Sequence, residues 1–404
     1  MNDPYHIYMD LDVINNEYTS TNKSRLRFEE TRNTPFLPGD SADYFCSVVR
    51  FNIQTGNTLP VFIPKIETGQ ANINKTIYVV SFTFTTTGGD AQTFAGSANV
   101  IYEPEDTTAL LPSAPTTSQD VSTNYYYVYN YQHFIVMVNQ ALTTAWDALR
   151  TNVLNTLSTP DNPGAGAAFW SSFVGDTVTP YLEWDTATNR IFITADQKLF
   201  ENTLSTPILM LFNERLYELF AGTPSRLGSY QGARAYQIRF VDRYYNRTQT
   251  RVPKPLISNP KNEVIVSQLI AYQELTSIAL WNPVASIVFA SSLLPRISTQ
   301  TSLPRDLGNP NSLVSGGNNS NFLPILSDFA IAVDASNQYR PSVEYNPGAE
   351  YRLIDMNSTT NLNRVDIIVY WKDRSGGLHP FELQPGCAAS IKLMFRRKDF
   401  SVVS

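Results

Sequence analysis

The feature that most constrains this chain is a recurrence of short alternating runs, each closed by glycine or proline. The run TIYVVSFTFTTT from Thr76 sets Ile77, Val79, Ser81, Thr83 and Thr85 on one side, and Tyr78, Val80, Phe82 and Phe84 on the other. Successive side chains of a pleated strand point to opposite faces, so this spacing predicts a strand with its aromatic face inward. YFCSVVRFNI from Tyr44, YQIRFVDRYY from Tyr236, NEVIVSQLIAY from Asn262, SIVFASSLLP from Ser286, RVDIIVYWKD from Arg364 and AASIKLMFRRKDF from Ala388 read the same way. On the Arg364 run, Ile367, Val369 and Trp371 share a face, which puts Trp371 in a core. YLEWDTATNRIFITAD from Tyr181 predicts a hairpin that turns over Thr186 to Asn189. No alternating βαβ rhythm is present. The fold class is all-β, of sandwich or barrel type.

Two segments interrupt the strands. Val138, Leu142, Ala145, Leu149 and Val153 recur at three- and four-residue steps, predicting a helix over about 132–157. ILMLFNERLYELFAG predicts a second over about 208–221, stopped at Gly222-Thr223-Pro224. PDNPGAGA after the first helix reads as a loop, and 102–124 and 299–320 as long irregular loops of the kind an assembly protein orders against its neighbours. Three prolines in VPKPLISNP, 252–260, mark a boundary. It divides the chain into an N-terminal β domain, 1–255, carrying both helices, and a C-terminal β domain, 256–404. The alternative is one β domain with a large insertion.

Charged residues make up only 16% against about 25% in ordinary globular proteins, while hydrophobic residues reach 42%, so the chain can bury a core and is not disordered. A net charge of −6 argues against a coat for nucleic acid built on a basic face. The densest basic run is Arg396-Arg397-Lys398, and Lys392 shares a strand face with Arg396. These four either guard a sheet edge against stray pairing or touch a genome or a partner's acidic groove. Cys46 and Cys387 lie beside apolar runs and are expected as buried free thiols, consistent with folding in a reducing compartment. The start, MNDPYHIYMDLD, carries acids where a secretory signal would be basic, and no apolar stretch reaches membrane-spanning length.

Chemistry is sparse. His6, His133 and His379 are far apart and lack metal-ligand spacing, and there is no nucleophile elbow, phosphate loop or dinucleotide fingerprint. Glu183 and Asp185 share a strand face, and Glu344, Glu350 and Asp355 follow later. A glycosidase would need such a pair across a cleft, but alternating acids also simply solvate a strand. Asp10 and Asp12 share a face and could help hold calcium, with solvation again the simpler account. No catalytic, cofactor or metal site is expected.

The phrases YNPGAEYRLID (345–355), VDIIVYWKD (365–373), ASIKLMFRRK (389–398), LWNPVASIVFAS (280–291) and FNERLYELF (212–220) resemble the minor capsid or penton-type proteins of virophages, polinton-like viruses and related small double-stranded DNA viruses. The resemblance covers the last half of the chain. It implies jelly-roll sandwiches with the two inserted helices, a structural capsid role in the virion, and no enzyme activity or cofactor. Self-association and packing against other capsid proteins are expected with that role. The basic run adds an expected weak contact with the viral genome, the lack of a long apolar stretch an expected absence from membranes, and the cysteine and N-terminal readings expected synthesis inside the host cell. Those proteins share no active-site motif, so no functional residue is carried over. The rivals are a receptor-binding or tail-associated β protein and a carbohydrate-active β-sandwich enzyme.

Overall fold

A computed structural model describes residues 6–16, 24–56, 58–88, 91–121, 123–175, 177–240, 249–250, 267–295, 324–331, 342–346 and 352–398. The chain opens with β1 (His6–Ile14), β2 (Ser24–Arg25), β3 (Arg27–Thr31) and β4 (Tyr44–Gln54). Next come β5 (Lys75–Thr85), β6 (Thr93–Ile101), α1 (Tyr131–Leu157), α2 (Ala165–Phe173), β7 (Tyr181–Asp185) and β8 (Arg190–Asp196). They are followed by α3 (Gln197–Phe200), β9 (Leu209–Asn213), α4 (Glu214–Leu219), β10 (Ser225–Tyr230) and β11 (Ala233–Ile238). After β12 (Gln249–Thr250), β13 (Ser267–Tyr272) and α5 (Ile278–Trp281), the path continues through β14 (Val284–Ala290), β15 (Ile325–Ala330) and β16 (Ser342–Tyr345). It ends with β17 (Ile354–Asp355), β18 (Arg364–Asp373), β19 (Leu378–Pro380), β20 (Glu382–Leu383) and β21 (Ala388–Arg397).

Spatial proximity groups the chain into two units. One comprises Met1–Val61, Asn282–Ala332 and Tyr339–Ser404; the other comprises Phe62–Trp281 with Val333–Gln338. This differs from a single cut into 1–255 and 256–404, because β1 pairs with β21 along nine residues, from His6↔Arg396 to Ile14↔Ala388. The proline-marked boundary itself lies outside the described residues.

In the first unit, β1-β21-β4-β16 forms one sheet, and β15-β14-β18 with β3 on the far side of β18 forms the other. Taking β1, β3, β4, β14, β15, β16, β18 and β21 as strands one to eight, the sheets read 1-8-3-6 and 2-7-4-5. Two sheets interleaved in this way form the eight-stranded double Greek key of a jelly roll. Rings from the two sheets interlock: Phe51 lies 4.9 Å from Phe289 and 5.2 Å from Phe329. On β18, Val365, Ile367, Val369 and Trp371 are all buried, as the alternation predicts.

The second unit falls in sequence between the third and fourth roll strands. It has a β10-β11-β9-β5-β6 sheet and a β12-β13-β8-β7 sheet. Tyr78, Val80, Phe82 and Phe84 of β5 are buried, as their spacing predicts, and the hairpin 181–196 pairs as β7 with β8. Helix α1 forms where expected, and Asn130 caps it by accepting from the Gln132 N–H. Gly96 of β6 lets α1 approach closely, since a Cβ there would stand 2.2 Å from Leu149 N and 2.4 Å from Ala145 O. The second expected helix is half strand. Leu209–Asn213 pairs with β5 and β11, and only Glu214–Leu219 is helical. The stretch after Pro160 read as loop contains α2, which packs on α1 through Trp170, 5.6 Å from Trp146.

Candidate assembly and nucleic-acid contact site

Lys392, Arg396 and Arg397 lie on a last strand that is not an edge, and Lys398 follows it directly. β21 has β1 on one side and β4 on the other, so the edge-guarding reading fails; the partner that covers it comes from the far end of the chain. Lys392 stands in register between Asp10 and Arg50. Its Nζ is 3.1 Å from Asp10 Oδ2, and Arg50 Nη2 is 3.5 Å from Asp10 Oδ1. All three side chains are at least 30% exposed, so each pair contributes at most about 1 kcal/mol.

Lys398 is a clamp. Its backbone N–H donates to Asp43 O at 2.7 Å, its ammonium donates to Ala42 O and Met356 O, and it pairs with the Asp355 carboxylate. The ammonium also stands 5.3 Å from the centre of the Phe45 ring. Arg396 and Arg397, half-buried, lie opposite Phe45 and Tyr44 of β4. The structure therefore places Lys392, Arg396 and Arg397 on one strand with Lys398 directly after it, and all four meet partners within the fold.

The acids are dispersed into local duties. Asp185 closes its turn by accepting from Ala187 N at 3.0 Å and Thr188 Oγ1 at 2.6 Å, and these bonds hold its carboxyl below the usual range. Glu344 stands on β16, Asp355 holds Lys398, and Glu350 lies outside the described residues. Asp10 serves Lys392 and Arg50. Among the described residues no group of three or more His, Cys, Asp or Glu side chains is placed to hold a metal. Cys46 is buried and Cys387 only partly so, and both are free thiols. His379 is buried, 2.9 Å from Asp373 and stacked on Trp371 at 4.2 Å.

One site escaped the sequence reading. Asp366, fully buried on β18, accepts from Ser291 Oγ at 2.8 Å, Ser292 Oγ at 2.7 Å and Leu293 N at 2.9 Å. Burial alone would raise its carboxyl, but these bonds outweigh it and hold the group below the usual range. The only sequence signal is an acid inside the apolar run VDIIVYW.

The Sputnik minor capsid protein V18/19 family matches residues 7–397. The chain belongs to this family. Structural protein V19 of Sputnik virophage is 28% identical over 218 residues, 54% of this chain and 94% of V19. Protein V18 of the same virophage is 36% identical over 118 residues, 28% of this chain and 66% of V18. A chain of the Sputnik virophage particle solved by cryo-electron microscopy superposes with a TM-score of 0.75 at 26% identity, covering 99% of this chain and 100% of that one. The mavirus penton protein superposes with a TM-score of 0.57 at 15% identity, covering 97% and 99%, a likeness of fold alone. This V18/19-family member is a structural subunit of a virion capsid, and its relatives are structural proteins, not enzymes. That sets aside the glycosidase reading of Glu183 and Asp185. Among the described residues no helix is long and apolar enough to cross a membrane.

Proposed function

We propose that this subunit closes into a ring of five identical copies at a shell vertex, each copy contributing one jelly roll. The 1-8-3-6/2-7-4-5 roll carries the reading, since the described residues form one such roll. The fold shared with a protein described as a penton supports it. So does β1, an outer strand of its sheet among the described residues, whose outward face shows Tyr8 and Ile14 at 55% and 59% exposure. An outer strand leaves N–H and C=O groups to be covered, and a closed ring covers one surface of every copy with another. The ring then packs against neighbouring capsid proteins. Native mass spectrometry of the purified chain tests this: a five-copy species is expected, and a stable monomer at high micromolar concentration overturns it.

The same reading keeps a weak genome contact at the basic cluster Lys392, Arg396, Arg397 and Lys398, supported by their close succession at the end of the chain's last strand. Phosphate binding weakens steeply with salt, whereas a structural role does not. Arg396→Ala/Arg397→Ala should lose salt-sensitive DNA retention at normal soluble yield; unchanged retention removes the genome contact. Folding and assembly inside the host cell complete the proposal, supported by Cys46 and Cys387 not being joined in a disulfide.

A further inference from the structure

On one face of the β12-β13-β8-β7 sheet, Thr194 and Asp196 stand two residues apart on β8. Gln268 of β13 lies opposite Asp196, and Tyr181 of β7 lies opposite Thr194. Cross-strand partners are about 5 Å apart, so four polar side chains converge on one spot. Val178, Thr179 and Ala195 complete the lining of a recess with room for about 10 Å³, the space of one water or one ion. Thr194, Asp196 and Gln268 are 1%, 5% and 4% exposed. Neither Thr194 Oγ1 nor Gln268 Oε1 has a hydrogen-bond partner, a condition that costs free energy wherever it persists.

One Asp196 oxygen accepts from Lys198 N at 2.8 Å and so caps α3. Burial holds the Asp196 carboxyl above the usual range, more than the N–H and the ammonium of Lys198 lower it. Two buried oxygens without donors and a desolvated acid thus have the same unmet need. A water would satisfy Gln268 and Thr194 but would add no positive charge to that of the Lys198 ammonium beside the desolvated carboxylate.

We propose that this recess binds one hard divalent cation, calcium in kind, through Asp196, Gln268 Oε1 and Thr194 Oγ1, with waters completing the shell. Calcium takes carboxylate, amide and water oxygens at about 2.3–2.6 Å, and a site with one carboxylate falls in the weak, roughly millimolar class. The ion ties β13 to the β7–β8 hairpin, so binding stabilises the unit that carries it.

The full chain is titrated with terbium, a calcium surrogate whose emission is sensitised by a nearby tyrosine, and Tyr181 lines the recess. Terbium emission should rise, calcium should quench it by displacement, and about 10 mM calcium should raise Tm by about 3 °C over sodium at equal ionic strength. Asp196→Asn keeps a side chain that caps a helix equally well but removes the charge, and should abolish the calcium shift. No calcium-specific shift in the parent, as a water-only recess would give, overturns the proposal, as does an undiminished shift in Asp196→Asn. Should that variant fail to fold, Tyr181→Phe decides, since it keeps every proposed ligand. Its terbium emission must fall severalfold, and unchanged emission overturns the site.

Discussion

At Trp371 a face could be assigned from neighbours alone, because the two-residue period of a strand decides burial whichever strand lies alongside. Ile367, Val369 and Trp371 are all within 2% of full burial, and His379 stacks on the indole at 4.2 Å. Trp371→Ala should cost about 3–5 kcal/mol by chemical denaturation, as large-to-small core changes do; a loss under about 1 kcal/mol would place that face in solvent. Asp366 was not legible in this way. Its donors, Ser291, Ser292 and the Leu293 N–H, lie more than seventy residues away, and nothing in a run of apolar residues announces them. The consequence for pH follows from the direction of its shift. A carboxyl held below its unfolded value, about 3.9, stabilises the fold fully above that value and loses the contribution as pH falls through the folded one. The parent should therefore lose stability steeply below about pH 4. Asp366→Asn should be less stable at pH 7 by about 1–3 kcal/mol, with a flatter acid limb. Parallel acid limbs for the two proteins would show that Asp366 is not the titrating group.

The segment 208–221 shows where element-level reading stops. An apolar run as short as ILMLF fits a buried strand and a helix equally well by periodicity, and only tertiary pairing arbitrates. Here Leu209–Asn213 pairs with β5 and β11, and Asn213 makes the change of state. Its Oδ1 accepts from Leu216 N at 3.0 Å, capping α4, and from Val79 N at 3.1 Å, while its Nδ2 donates to Ile77 O at 2.7 Å. One amide thus begins the helix and satisfies β5 where its ladder with β6 is irregular, between Lys75 and Val79. A cap is worth about 1 kcal/mol and each bond about as much, so Asn213→Ala should cost about 2–3 kcal/mol in thermal or chemical unfolding. Asn213→Asp, which keeps the cap but cannot donate to Ile77 O, should fall between; equal stability of all three proteins would rule out the junction role. Asn139 of α1 works similarly at the other sheet, bonding both Leu182 N and Leu182 O on β7, an outer strand of that sheet among the described residues. Strand existence, the α1 helix and the 181–196 hairpin were legible because they depend on local spacing and turn chemistry. The strand–helix switch was not, because its cause lies about 135 residues upstream.

At the scale of the molecule, individual strands could be read but not their order. Interleaving 1-8-3-6 with 2-7-4-5 requires the first strand of the chain to find the last, and no local signal encodes a partner some 380 residues away. The same blindness explains the basic cluster. Read alone, charges at the end of a final strand suit an edge; in the fold β1 covers that edge, and Lys392 meets Asp10 across the pair. This arrangement makes the N-terminal strand a structural requirement for the C-terminal one. Without β1, the β21 backbone opposite His6–Ile14 loses its partner, and Ile391, Leu393 and Phe395 lose the cover of Met9 and Leu11, both buried. An uncovered strand bearing apolar residues is a template for unspecific pairing. Deleting residues 1–15 should therefore send the chain into aggregates, read as a collapse of soluble yield and loss of the discrete species in size-exclusion chromatography. Lys392→Ala, which breaks only the ion pair with Asp10, should leave yield and elution unchanged. If the truncated chain elutes like the parent with the same Tm, neither the pairing of β1 with β21 nor any contact of β1 between copies contributes to the fold or its assembly.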